Sequence, residues 1–189
     1  MHGRRLIAHA VPDVADATFI VRERRESDVP ECLALAEVVR ETDGYPPVGP
    51  IDTAHFLTPP YELAAWVAER DDAVIGHVAL HYTGYRSTIE LAAEHTGLPE
   101  DHLGVVARMF VAPTARRVGV ARGLLDTVVA EAHRRRLLPV LDVAPHLEAA
   151  MALYESAGFE RVGEATFAFP GIGPRRVYVF IGPAPRRGP

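Results

Sequence analysis

The sequence contains no lysine, no asparagine and no glutamine, and it has one cysteine, Cys32. All 20 basic residues are therefore arginine, which excludes a lysine nucleophile and Schiff-base chemistry. A single cysteine excludes an intramolecular disulfide and a cysteine-based zinc site, and the apolar helical pattern around Cys32 predicts a small buried side chain. Because no Cys/His cluster has the spacing of metal ligands, we expect no metal centre.

Long apolar runs are also missing. The 189 residues are 48% hydrophobic, which suits one globular domain, and no stretch is long enough to cross a bilayer. The polar start at residues 1–5 leads into no signal-like region, so we expect a cytoplasmic protein that does not associate with a membrane. A net charge of -5 disfavours nucleic acid as a partner, and the basic run 134–136 is typical of a helix C-terminus.

The distribution of turn-forming residues predicts tails at residues 1–17 and 183–189 around one domain, residues 18–182. The expected strands are 18–22, 63–69, 74–82, 105–111, 139–143, 159–163 and 177–181. The expected helices are 27–40, 86–98, 119–136 and 148–157, with a short one at 53–57. This mixed order predicts a single sheet covered by helices, with two strand-helix-strand units around the helix that begins at Gly119.

The segment from Arg116 to Arg122 carries the clearest chemical signal. It follows a strand and opens a long helix, so its backbone N–H groups are unpaired donors at the positive end of a helix dipole. Gly119 allows an anion to approach the backbone, and the arginines add permanent positive charge. On its own, this pattern is equally typical of a helix start with surface arginines.

The wider context resembles the GNAT N-acetyltransferases. Arg116, Gly119 and Ala121 fill the family signature of Gln or Arg, two residues, Gly, one residue, then Gly or Ala. Residues 108–113 resemble the strand that leads into this loop, and residues 150–159 resemble a second signature. The resemblance covers 18–182 in element order, with its specific motifs inside 105–159. The Gly-x-Gly-x-x-Gly fingerprint of dinucleotide-binding folds is absent.

This resemblance implies the GNAT fold, α/β (α+β in some schemes), with a single mixed, mostly antiparallel central sheet flanked by helices. It also implies direct transfer of an acetyl group from acetyl-CoA to a primary amine of a small molecule or peptide. A homodimer is compatible with it. The alternatives are a non-catalytic CoA-binding regulatory domain of the same fold and a transferase that uses another acyl-CoA.

The resemblance also implies roles for individual residues. Backbone groups of Met109 and Val111 would hold the pantetheine arm, although both residues also suit a buried strand. Tyr154 would be the general acid for the CoA thiolate, or an aromatic anchor between helix and sheet. The pyrophosphate would be bound by the loop of Arg116, Arg117, Val118, Gly119, Val120, Ala121 and Arg122.

Two departures from the family pattern leave the general base unassigned. Leu147 stands where members often have asparagine, and residues 105–107 lack the acidic side chain that some members carry. His77 and His81 are base candidates because they share one face of a predicted central strand, although each is equally typical of a structural histidine. Asp142, on a buried strand, would orient substrate or satisfy a nearby donor.

Overall fold

Seven strands and four helices make up the described part of the chain, which consists of residues 18–46, 56–169 and 173–185 of a computed structural model. The strands are β1 (Ile20–Glu23), β2 (Glu62–Arg70), β3 (Ala73–His81), β4 (Leu103–Val111), β5 (Leu138–Val143), β6 (Glu160–Phe169) and β7 (Gly173–Ile181). The helices are α1 (Val29–Asp43), α2 (Arg86–Thr96), α3 (Val120–Arg134) and α4 (Glu148–Ser156).

All seven strands belong to one sheet in the order β1-β2-β3-β4-β5-β7-β6. Only β4 and β5 are parallel, because α3 carries the chain between them, and every other pair is antiparallel. The predicted mixed, mostly antiparallel sheet is therefore confirmed. The predicted strand-helix-strand units are present as β4-α3-β5 and β5-α4-β6, although β7 lies between β5 and β6 in the sheet.

Helix α3 packs closely against the centre of the sheet at Gly76. A Cβ at Gly76 would lie 2.9 Å from Leu124 and 3.2 Å from Val120, so a larger residue would push the helix away from β3. The helix buries the positions predicted from its period, Val120, Leu124, Leu125, Val128 and Ala132. On α1, Cys32 is fully buried as expected, and burial raises the pKa of its thiol to about 12.

The hairpin that closes the sheet is longer than the sequence indicated. Gly163 was expected to end a strand, but it lies inside β6, at an irregularity in the pairing with β7. A Cβ at Gly163 would lie 2.9 Å from Leu91 of α2, so this glycine permits close helix-sheet contact and does not mark a turn. The predicted tail 1–17, the tail beyond 185 and most of the predicted helix 53–57 lie outside the described residues.

Candidate active site

A gap opens in the middle of the sheet between β4 and β5. The two strands pair only from Leu103 to Val105 with Leu138 to Val140. Beyond that point β4 continues beside β3, and β5 continues beside β7. The edge of β4 from residue 106 to 111 therefore faces a cavity of about 1690 Å³ and not a neighbouring strand. This volume exceeds that of a typical drug-sized pocket, so a long ligand and a second molecule can both fit.

The loop between β4 and α3 borders one end of this cavity. Arg117 and Gly119 have positive φ angles of 64° and 89°, and α3 begins immediately afterwards. The N–H of Gly123 donates to the carbonyl of Gly119 at 2.9 Å, so the three preceding amides have no intrahelical acceptor. A Cβ built on Gly119 would meet nothing within 4 Å. The predicted anion site is thus an open helix N-terminus.

The three arginines of this loop have different environments. Arg116 lines the cavity, but its guanidinium forms a bidentate contact to Asp43 at 3.1 and 2.6 Å. The Nε of Arg122 donates to Asp126 at 2.9 Å. Arg117 is exposed and makes no side-chain hydrogen bond or ion pair within the described part of the chain. Arg117 is therefore the loop arginine whose charge is most available to an anion.

The other predicted cofactor residues divide between the cavity and the core. Met109, Val111 and Ala121 line the cavity. Val120 lines it as well, but it is only 1% exposed because its side chain belongs to the main hydrophobic core. Val118 packs against the main hydrophobic core and is not part of the cavity wall. Any contact of Val118 with a ligand would therefore be through its backbone.

Tyr154 packs as an aromatic anchor and also lies at the cavity, so its position is compatible with both roles considered from the sequence. Its ring packs against Phe159 and Phe180, with centroids 5.9 and 6.1 Å away. Its hydroxyl lies 3.9 Å from the sulfur of Met109, on the edge of β4 that faces the gap, and the residue lines the cavity. Burial raises the pKa of Tyr154, so the hydroxyl keeps its proton at neutral pH. The tyrosine is thus an anchored side chain that can donate a proton to the cavity.

The start of α4 closes the same side of the cavity. Leu147 precedes the helix without a side-chain capping bond and packs against the core, while it also lines the cavity. His146 and Glu148, which flank Leu147, are cavity residues too. At this position, where family members often have asparagine, the neighbouring polar groups are therefore the imidazole of His146 and the carboxylate of Glu148.

His77 lies outside the cavity lining and has hydrogen-bond partners on both ring nitrogens. Nδ1 is 2.8 Å from the carbonyl oxygen of Arg108, and Nε2 is 3.1 Å from a guanidinium nitrogen of Arg24. A carbonyl can only accept and a guanidinium can only donate, so Nδ1 carries the hydrogen and Nε2 accepts. Burial lowers the pKa of His77 to about 3. These contacts leave no lone pair for an amine and argue against a role as base.

The carbonyl bound by His77 belongs to a bulge in β4 that the sequence analysis missed. Between the pairs His77–Phe110 and Ala79–Ala107, β4 contains one residue more than β3. Arg108 in this bulge has a φ of 53°, which is uncommon for a residue other than glycine. The two histidines on an otherwise apolar strand were the available signal, because a buried imidazole needs a partner that regular strand pairing does not supply, but they do not show which histidine meets a bulge.

His81, four residues further along β3, does reach the cavity wall. It is 2% exposed, and its ring meets the ring of Tyr61 edge-on with centroids 5.1 Å apart. Its Nε2 has no hydrogen-bond partner among the described residues. Burial lowers the pKa of His81 to about 3, so the ring is neutral at physiological pH and only a weak proton acceptor.

Asp142 is an acidic side chain in the wall of the gap. It lies on β5, two residues beyond the last pair with β4, and its carboxylate accepts a hydrogen bond of 3.0 Å from the hydroxyl of Thr88 on α2. Burial raises the pKa of this carboxyl group. Asp142 is partly exposed, and within the described residues it forms no salt bridge.

Residues 18–46, 56–169 and 173–185 contain no group of three or more His, Cys, Asp or Glu side chains placed to hold a metal ion. No helix in these residues is long and apolar enough to span a membrane.

The comparisons with known proteins agree on one family. The model of the acetyltransferase (GNAT) family matches residues 31–159. Human N-acetyltransferase 8 is 33% identical over 103 residues, which cover 54% of this chain and 40% of that protein. The chain therefore spans less than half the length of this relative.

Solved structures match over most of their length. The ribosomal-protein-S18-alanine N-acetyltransferase of Escherichia coli has a TM-score of 0.65 at 16% identity, covering 90% of this chain and 97% of that one. Arabidopsis thaliana NAA60 in complex with acetyl-CoA has a TM-score of 0.64 at 20% identity, covering 87% and 97%. At these identities the likeness concerns the fold. With the family match over 31–159 and the gap, loop and tyrosine described above, the chain belongs to the acetyltransferase (GNAT) family.

Proposed function

We propose that this protein transfers an acetyl group from acetyl-CoA directly to a primary amine. The observation that carries the proposal is the gap between β4 and β5, which opens onto the helix N-terminus at Gly119 and contains the hydroxyl of Tyr154. A relative of the same fold was solved with acetyl-CoA, which supports this donor. The cytoplasmic location, the absence of a nucleic-acid partner and a possible homodimer stay predictions from the sequence.

The residues present fit a CoA thioester. The open amides at the start of α3 suit the pyrophosphate, and Arg117 adds an available positive charge. The free edge of β4 can receive the amide-containing pantetheine arm as an additional strand, through backbone groups of Met109 and Val111. The thioester supplies an activated acetyl group with a thiolate leaving group. Tyr154, which keeps its proton at neutral pH, would protonate that thiolate.

Donor binding can be tested with Gly119→Glu. In wild-type protein, acetyl-CoA at a hundredfold excess over its Kd should stabilise the fold by about 2.7 kcal/mol, measured by thermal unfolding. The glutamate puts bulk and negative charge at the open helix N-terminus and should abolish this stabilisation. Gly97→Glu is the matched control, because Gly97 also has a positive φ (68°) and also has nothing within 4 Å of its Cβ position.

The control separates backbone strain from ligand exclusion, since both substitutions impose a similar strain. Stabilisation by acetyl-CoA that persists in Gly119→Glu would refute the assignment of this loop. Catalysis is tested by free-thiol release from several acyl-CoA thioesters with a panel of amines. Binding without thiol release would favour the non-catalytic regulatory alternative, and release from longer acyl-CoA thioesters would favour another donor.

A further inference from the structure

Asp142 and Tyr154 approach the gap from opposite faces of the sheet. In the pairing of β5 with β7, Leu141 is opposite Phe180 and Asp142 is opposite Val179. Side chains alternate along a strand, so Phe180, against which Tyr154 packs, points to the face away from Asp142. The hydroxyl of Tyr154 and the carboxylate of Asp142 therefore meet the gap from its two sides.

The surroundings of Asp142 suit a cation. Thr88, which is fully buried, fixes the carboxylate through a hydrogen bond of 3.0 Å, and no ion pair neutralises it among the described residues. The nearby Arg108 forms no salt bridge with Asp142: its guanidinium lies over the ring of Phe56 and its Nε donates to the Phe56 carbonyl at 3.0 Å. Its positive charge still favours the ionised carboxylate and opposes the rise in the pKa of Asp142 that burial causes. A carboxylate that lines a cavity and forms no ion pair can bind a positively charged group that enters the cavity.

The walls of this part of the cavity are aromatic. The ring of Tyr85, at the start of α2, stacks on Phe167 of β6 with centroids 3.7 Å apart, and both rings line the cavity. Tyr61 lines it as well, beside His81, whose Nε2 has no hydrogen-bond partner in the described part of the chain. Aromatic faces attract ammonium groups and also pack against flat or aliphatic substituents.

We propose that Asp142 binds the ammonium group of the acceptor and takes the proton that the nitrogen must lose before it attacks the thioester. The acceptor class that fits is an aliphatic primary amine with a flat or apolar substituent beside it. This inference rests on the proposed transfer from acetyl-CoA and names the acceptor side of the same site. Thr88 acts as a positioning residue, because it holds the carboxylate and does not touch the acceptor.

The proton and bond changes balance. The ammonium gives one proton to Asp142, the free amine forms a C–N bond with the acetyl carbon, and the C–S bond breaks. The departing thiolate takes the proton of Tyr154. The nitrogen loses a second proton as the amide forms, and this proton restores Tyr154 through water, while Asp142 releases its own to solvent. The net products are the acetamide, CoA thiol and one proton.

The experiment measures binding of two probes to the full chain at saturating CoA by isothermal titration calorimetry. Tyramine is an aliphatic primary ammonium with an aromatic ring, and tyrosol is its neutral analogue with a hydroxyl in place of the ammonium. Wild-type protein should bind tyramine about tenfold or more tightly than tyrosol, because a hydrogen bond to a charged group is stronger than a neutral one.

Asp142→Asn should remove this preference and leave the affinity for CoA unchanged, since the amide oxygen can still accept from Thr88. Asp101→Asn is the control, because Asp101 is an exposed aspartate outside the cavity, and it should keep the preference. A preference for tyramine that survives Asp142→Asn overturns the inference. So does wild-type protein that binds CoA but shows no preference for tyramine. Failure of wild-type protein to bind CoA refutes the proposed function itself.

Discussion

The buried state of His77 predicts a loss of stability in mild acid. Burial lowers the pKa of His77 from 6.5 to about 3, so the folded protein keeps this ring neutral while the unfolded chain protonates it. A depressed histidine pKa gives stability that is complete above pH 6.5 and is lost as the pH falls from there towards 3. Between pH 7 and pH 5 this one group should lower the free energy of unfolding by about 2 kcal/mol.

His77→Asn isolates that contribution. The asparagine amide can still donate to the carbonyl of Arg108, so the bulge in β4 keeps its partner, but the side chain no longer titrates. Urea unfolding at pH 7 and pH 5 gives four free energies, and the loss between the two pH values should be about 2 kcal/mol smaller in the variant. His81→Asn should show a similar difference, because burial also lowers the pKa of His81 to about 3.

Equal losses in wild type and His77→Asn would show that His77 is not held neutral. The comparison within each protein cancels any constant cost of the substitution. It also cancels the titration of the carboxylates, which both proteins share.

Two further changes test the cavity and the core. Tyr154→Phe removes only the hydroxyl, so it should lower turnover on an accepted amine by about 10²-fold to 10⁴-fold and leave the affinity for acetyl-CoA nearly unchanged. Turnover near the wild-type value would show that Tyr154 is an aromatic anchor and not the general acid. Leu124→Ala should lower the free energy of unfolding by about 3–5 kcal/mol, because Leu124 is fully buried beneath β3. If chemical denaturation shows that Leu124→Ala lowers the free energy of unfolding by less than about 1 kcal/mol, α3 has moved to fill the cavity left by the leucine side chain.

The local parts of the site were predictable from the sequence. A strand that stops before Ala112 and Pro113, the glycine at 119 and a periodic helix follow one another closely in the sequence, so short-range rules predict the open helix N-terminus. The same rules do not give the partners of the arginines. Arg116 was assigned to the pyrophosphate, and its bidentate contact to Asp43 joins residues 73 positions apart. Only the tertiary fold brings these two side chains together.

The gap between β4 and β5 has a similar origin. Both strands consist largely of apolar residues, and each was predicted from its own composition. Where their pairing stops is a tertiary property: β5 remains paired with β7 up to Val143 and β4 remains paired with β3 up to Val111, but the two strands are not paired with each other beyond Val105 and Val140. The position of Asp142 in the cavity wall follows from this arrangement, and a single sequence does not contain it.

The two histidines of β3 show how one neighbouring strand changes the role of a residue. Alternation correctly places His77 and His81 on the same face, and from the sequence they were equivalent base candidates. The bulge in β4 follows the pair His77–Phe110, and the carbonyl of Arg108 in it binds Nδ1 of His77, whereas His81 pairs with Val105 where the gap begins. One ring therefore supports the bulge and the other faces the cavity. Since the bulge is a property of β4, no pattern within β3 distinguishes the two.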